Sequence, residues 1–119
     1  MIPSPGTKFE RSTPILRVND MAVSLAYYVD VLGFRNAEWG DDTFTQVARD
    51  AAEIYLAQGA QGQPGTWVWI GVEDVAALHE EYKAAGALIR TEPQNFPWAY
   101  EMTVTDPDGH VLRFGSEPL

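Results

Sequence analysis

One junction occurs twice in this chain, 54 positions apart. A short β-favouring run ends at Val18, Asn19-Asp20 follows, and a helical stripe begins. The same order returns at Val72, Glu73-Asp74 and the stripe beyond. Ala22 and Ala76 keep this spacing, as do Tyr28 and Tyr82. A repeat that falls at strand-to-helix junctions implies a duplicated supersecondary unit. Neither copy alone buries both faces of its sheet, so the two halves must pack together.

In the first half, Thr13–Val18 predicts a strand with Pro14 tolerated near its start. Asp20 is placed to cap a helix whose positions Met21, Leu25, Tyr28, Val29 and Leu32 recur at steps of three and four, and Gly33 to end it. Three short β segments follow, near Phe34–Trp39, Thr43–Ala48 and Glu53–Ala57, separated by Gly40-Asp41-Asp42 and Arg49-Asp50-Ala51. After a glycine-rich linker, Trp67–Val72 predicts a strand, and Val75, Leu78 and Tyr82 a helical stripe closed by Gly86. Ala87–Arg90 reads as a strand and Thr91–Trp98 as a proline-bearing loop. A hairpin then turns at Asp106-Pro107-Asp108-Gly109, with Pro preset for the first corner and Gly where φ is positive. The expectation is an α+β fold of two βαβββ modules, 13–58 and 66–117, joined by linker 59–65 within one domain, 13–119. Residues 1–12 read as an N-terminal arm.

Period-two alternation assigns the strand faces. Leu16, Val18, Ile54, Leu56, Val68, Ile70, Met102, Val104, Leu112 and Phe114 fall on the helix-facing side. Thr13, Ile15, Arg17, Glu53, Tyr55, Trp67, Trp69, Glu101, Thr103 and Arg113 fall opposite, as the wall of a cleft between the sheets. Aromatic walls with a few convergent charges suit a small-molecule site. Two tryptophans two apart in a strand equally suit a core or a subunit interface. Glu53 and Glu101 are either an acid–base pair or charge partners for Arg17, Arg113 or a cationic ligand. Asp41 and Asp42 serve turn chemistry or line the crevice.

With 119 residues the chain makes one ordinary domain. The absence of cysteine excludes disulfides and thiolate chemistry and fits a reducing compartment. The first residues lack the apolar core of a leader, and no run approaches about 18 apolar residues, so a soluble cytoplasmic protein is expected, with no membrane partner. A net charge of −9 argues against nucleic acid and favours the approach of cations, though solubility alone accounts for it. No glycine-rich phosphate loop opens a helix, and with no Cys and two His a nucleophile–His pair has little to draw on.

Phe34 after Leu-Gly, Trp67-Val-Trp before the second helix, and Pro97-Trp98, Glu101 and the Asp-Pro-Asp-Gly hairpin together resemble the glyoxalase/bleomycin-resistance/dioxygenase (vicinal oxygen chelate) superfamily. The likeness is greatest to its bleomycin-resistance branch. It implies incurved mixed β-sheets and a homodimer with ligand crevices at the interface, often with the N-terminal arm exchanged. The superfamily's enzymes hold a divalent metal at four equivalent places, which here fall on Thr13, Tyr55, Trp67 and Arg113. A hydroxyl, a phenol, an indole and a guanidinium make no usual ligand set. His79 and His110 lie on different elements and are expected at the surface or its boundary. The resemblance therefore implies a metal-free, cofactor-free binder of a bulky, aromatic, cationic antibiotic. Trp39, Phe44, Trp67, Trp69 and Trp98 would supply flat surfaces, and Glu53, Glu101, Asp41 and Asp42 counter-charge. The other implied activity is that of a metal-dependent lyase, isomerase or dioxygenase.

Overall fold

The computed structural model describes residues 6–119; the start of the expected N-terminal arm, residues 1–5, lies outside the described residues. Strand β1 (Ile15–Val18) runs parallel to β4 (Ala52–Gln58), which pairs antiparallel with β3 (Phe44–Arg49), and β3 with the two-residue β2 (Arg35–Asn36). The second sheet repeats this plan. Strand β5 (Trp67–Gly71) runs parallel to β8 (Val111–Ser116), followed by β7 (Tyr100–Thr105) and the edge strand β6 (Leu88–Asn95). The sheet orders are β1-β4-β3-β2 and β5-β8-β7-β6. The register repeats as well: Ile15 stands opposite Tyr55, and Trp69, its equivalent in the second half, opposite Arg113.

The two helices begin alike because the same residue caps them. Asp20 accepts from the Val23 N–H at 3.2 Å at the head of α1 (Met21–Leu25), and Asp74 from the Ala77 N–H at 3.0 Å at the head of α2 (Val75–Ala85). Gly86 closes α2 at φ 81°, a left-handed cap that a side chain would strain. Unlike α2, α1 widens into a π-helical turn, Ala26–Val31. The wider turn lets consecutive Tyr27 and Tyr28 both point inward, while Val29 is only half-buried. The Tyr27 hydroxyl donates to the Thr105 carbonyl at 2.6 Å and accepts from the Leu88 N–H at 3.0 Å, so the first helix grips the second sheet.

One apolar cluster serves both halves. Leu16, Val18, Ile54 and Leu56 of the first sheet join Met102, Val104, Leu112 and Phe114 of the second, with Tyr28 and Tyr82 between them. Each such side chain withdrawn from water stabilises the fold by about 1.5–3 kcal/mol. The Tyr82 hydroxyl donates to the Leu32 carbonyl at 2.8 Å, and Arg49 donates to the same oxygen at 2.9 Å while pairing with Glu81 through both its terminal nitrogens. Burial, against the opposing pull of Arg49, pushes the Tyr82 phenol up to about 12. An acid whose folded pKa is raised keeps its stabilising effect below its unfolded value and loses it as pH climbs to the folded one. Denaturation midpoints should therefore fall between pH 10 and about 12. Tyr82→Phe should make that limb shallower without abolishing it, since burial also raises the Tyr27 and Tyr28 phenols, while lowering stability at neutral pH.

Three expectations need correction. The second strand of the second half does not stop at Arg90: β6 runs on through Pro93, with register shifts on both sides of Thr91. Proline is tolerated because β6 is an edge strand whose outward N–H has no partner to lose. The expected Phe34–Trp39 strand shrinks to β2, because Phe34 turns into the core and meets Tyr28 edge-on at 5.7 Å. Finally, His110 is fully buried rather than superficial. The Thr66 N–H donates to its Nδ1 at 3.0 Å, which leaves Nε2 to carry the proton and donate to the Arg17 carbonyl at 2.6 Å. It thus ties the start of β8 to the end of β1. His79 is part-buried on α2, with the Glu92 carboxylate 2.5 Å from its Nε2.

Candidate functional site

The strand faces turned away from the core carry the residues that alternation assigned to a cleft. On the first sheet, Trp39, Phe44 and Tyr55 form one aromatic group, Trp39 stacked on Phe44 at 6.2 Å and Phe44 tilted against Tyr55 at 5.2 Å. Trp39 projects from the loop before β3. There Gly40 allows the close approach, since a Cβ in its place would lie 1.7 Å from the Thr45 hydroxyl. Asp41 closes this loop by accepting from the Thr43 N–H and hydroxyl at 2.8 Å each and the Phe44 N–H at 3.0 Å. Those bonds hold its carboxyl below the usual range. Asp42 is exposed beside it. Glu53 is half-buried and accepts from Gln46 at 2.7 Å and Arg11 at 3.4 Å. Glu10, Arg11, Thr13, Gln46, Glu53 and Tyr55 enclose a polar hollow of about 400 Å³.

The second sheet carries a different group. Trp67 lies under the Arg90 guanidinium, 5.0 Å from the ring centroid. Trp98 stacks on Phe96 at 4.9 Å with the rings 9° from parallel. Glu101 is almost fully buried and takes four bonds: Trp69 Nε1 at 3.0 Å on one oxygen, and Trp98 Nε1 at 3.3 Å with Arg113 Nε and Nη2 at 3.0 and 2.6 Å on the other. Burial by itself would raise the pKa of this carboxyl; the guanidinium and the two indole N–H groups outweigh it and hold the group below its usual range. Of the partners left open for Glu101 by sequence, Arg113 is the one it meets. Gly71 and Gly115, which face each other across β5 and β8, leave room for the Trp69 ring; a Cβ on Gly115 would lie 2.7 Å from it. Neither glycine, nor Arg90, Phe96, Gln46 or Arg11, was singled out from the sequence. A glycine inside an otherwise β-favouring run was the available signal for a close approach.

The structure does not bring the two groups together. The expected cleft between the sheets is, within one chain, filled by the helices and the shared core. Each aromatic face instead opens to solvent separately, with Trp39, Trp67, Trp69 and Trp98 each more than half exposed. Among the described residues no hydrogen bond or aromatic contact joins the side chains of one group to the other.

At the four places that the resemblance assigns to a metal, the donor chemistry does not fit one. Arg113 carries a positive charge and is spent on Glu101, Trp67 is occupied by Arg90, and Thr13 and Tyr55 offer only neutral hydroxyls. Among the described residues no three His, Asp or Glu side chains gather as a metal site, and no helix is long and apolar enough to cross a membrane.

Paired βαβββ modules, each a mixed sheet with its helix on one side and an open face on the other, define the vicinal oxygen chelate architecture. The chain belongs to the Glyoxalase/Bleomycin resistance protein/Dioxygenase superfamily, whose family model matches residues 11–114. Among solved structures it is similar to a bleomycin-binding protein from bleomycin-producing Streptomyces verticillus, crystallised with copper(II)-bleomycin. The identity is 28%, the TM-score 0.79, and 93% of this chain covers 98% of that one. Its fold is also shared by TnmS3, an antibiotic-binding protein from Streptomyces sp. CB03234, at 21% identity and a TM-score of 0.74, covering 95% and 100% of the two chains. A probable lactoylglutathione lyase from Vibrio cholerae is 27% identical over 116 residues, 83% of this chain and 84% of that protein.

Proposed function

We propose that this protein captures a bulky, flat, cationic antibiotic of the bleomycin type by stoichiometric binding, without turning it over. In this reading the first-sheet face of one chain meets the second-sheet face of a second copy, and the homodimer closes a crevice that neither chain has alone. The observation that carries it is the pair of open faces set with exposed indoles, at a place in the fold where an enzyme of the superfamily would present metal ligands. So large an exposed aromatic area is costly in water and marks a surface meant to be covered. Stacking and cation–π attraction on Trp39, Phe44, Trp67, Trp69 and Trp98 give the binding energy. Asp42 and Glu53 give counter-charge, and the net charge of −9 speeds encounter with a cation. The similarity to a copper(II)-bleomycin binder supports the ligand class.

Titration calorimetry with metal-free and copper(II)-loaded bleomycin tests the reading. One ligand per chain is expected, with affinity that weakens as salt is raised. Trp67→Ala should lose about 2 kcal/mol of binding. An absence of heat with every bleomycin-type compound, together with no rise in thermal midpoint, would remove the named ligand. The likeness to a lactoylglutathione lyase is the basis of a second reading. Turnover to lactoylglutathione that a chelator stops would establish it and overturn the first.

A further inference from the structure

We infer that Glu101 is a positioning residue, which locks Trp69, Trp98 and Arg113 into a finished platform before any ligand arrives. The inference deepens the binding reading and rests on it for its purpose, but its geometry stands in the free protein. A carboxylate on a binding face is ordinarily read as a counter-charge for the guest. Here both oxygens are consumed: one by the Trp69 indole N–H, the other by the Trp98 indole N–H and two Arg113 donors. Only 4% of the residue is exposed, so no guest reaches it.

What Glu101 does instead is orient its neighbours. Trp69 is pinned at its nitrogen by Glu101 and pressed flat on backbone by Gly71 and Gly115, where a Cβ would stand 3.1 and 2.7 Å from the ring. Trp98 is pinned at its nitrogen by the same carboxylate and backed across its plane by Phe96. Each indole is thus held at one edge and on one face, and more than half of each remains exposed. With both indole N–H groups spent, the platform offers a guest π-faces and the outer donors of Arg113, which is 37% exposed, and no indole edge. Fixing rotamer-rich side chains in advance removes an ordering cost from the binding step.

Nitrogen-15-labelled protein reads the device directly, without ligand. Of the four tryptophan side-chain N–H signals, those of Trp69 and Trp98 should exchange slowly with solvent and those of Trp39 and Trp67 fast. Glu101→Gln sets an amide N–H₂ against donors and should release at least one of the two slow signals. Gly115→Ala lifts the Trp69 ring with the charge untouched, and should release that signal alone even if the first variant fails to fold. Bleomycin affinity should fall about tenfold in either variant. Four equally labile signals in the wild type, or two slow signals surviving in both variants, would overturn the assignment. If the signals behave as expected but wild type binds no bleomycin, the platform stands and the ligand proposed above is wrong.

Discussion

Replacing Asp106 by alanine is expected to cost the protein about 3 kcal/mol of stability, a fall of roughly 10–15 °C in thermal midpoint, with no change in the exposed aromatic faces. Asp106 is 3% exposed and opens the β7–β8 turn, just before Pro107. One oxygen accepts from the N–H groups of Asp108 and His110, each at 2.9 Å, and the other from the Tyr28 hydroxyl at 2.9 Å. Alanine strands three donors, two of them on fully buried residues, and an unsatisfied buried donor costs about 1–3 kcal/mol. The carboxylate also carries a penalty: burial raises its pKa in spite of those bonds, so removing the charge returns part of the loss. Asp106→Asn separates the two effects. Its oxygen keeps the backbone bonds, and its amide can donate to a Tyr28 hydroxyl that reverses role, so it should cost about 1 kcal/mol at most. Chemical denaturation of both variants checks the pair; an asparagine variant as weak as the alanine one would mean that charge, not acceptor geometry, holds the turn.

Much of this fold could be read from local signals. The caps at Asp20 and Asp74, the left-handed glycine after α2 and the alternation in β1, β4 and β5 are each decided within a few residues of chain, and they stand as expected. In β7 burial extends to Glu101 and Thr103, which alternation alone puts on a wet face. What failed depended on distant partners. His110 lies beside a turn, a surface position on local grounds. Its two hydrogen bonds reach Thr66 and Arg17, 44 and 93 positions away, and no local pattern announces them. Pro93 reads as a loop until the sheet order shows its strand at an edge. The π-helical turn escaped because two consecutive tyrosines break an α-helical stripe, and only the second sheet explains why both are inside.

The site divides the same way. Period-two alternation placed Trp67, Trp69, Glu101 and Arg113 on one face of one sheet, and Glu53 and Tyr55 on one face of the other. It says nothing of which way the two faces look relative to each other. Nor does it count donors: Arg113 was among the partners open to Glu101, but the two indole N–H groups that also converge on it have no local signal. Asp41 likewise spends one oxygen on its own loop but keeps the other, and its charge, exposed. On the first-sheet face a guest therefore meets Asp41 and Asp42 together with Glu53, which shares its charge with Arg11.

The two aromatic faces do not meet within one chain, so the proposed homodimer makes binding recoverable by mixing two damaged proteins. Trp39→Ala with Phe44→Ala strips the first-sheet face, and Trp69→Ala with Trp98→Ala strips the second. All four side chains lie outside the shared core, so each double variant should fold. Neither should bind bleomycin alone, since a symmetric dimer of either has one stripped face in both crevices. In a mixed dimer one crevice combines the two stripped faces and the other combines the two intact ones. Random pairing after joint refolding makes half the dimers mixed, so about a quarter of all crevices should regain wild-type affinity. Calorimetric stoichiometry reads that fraction, and no recovery would place the crevice within a single chain. Full binding by either double variant alone would instead remove its face from the site.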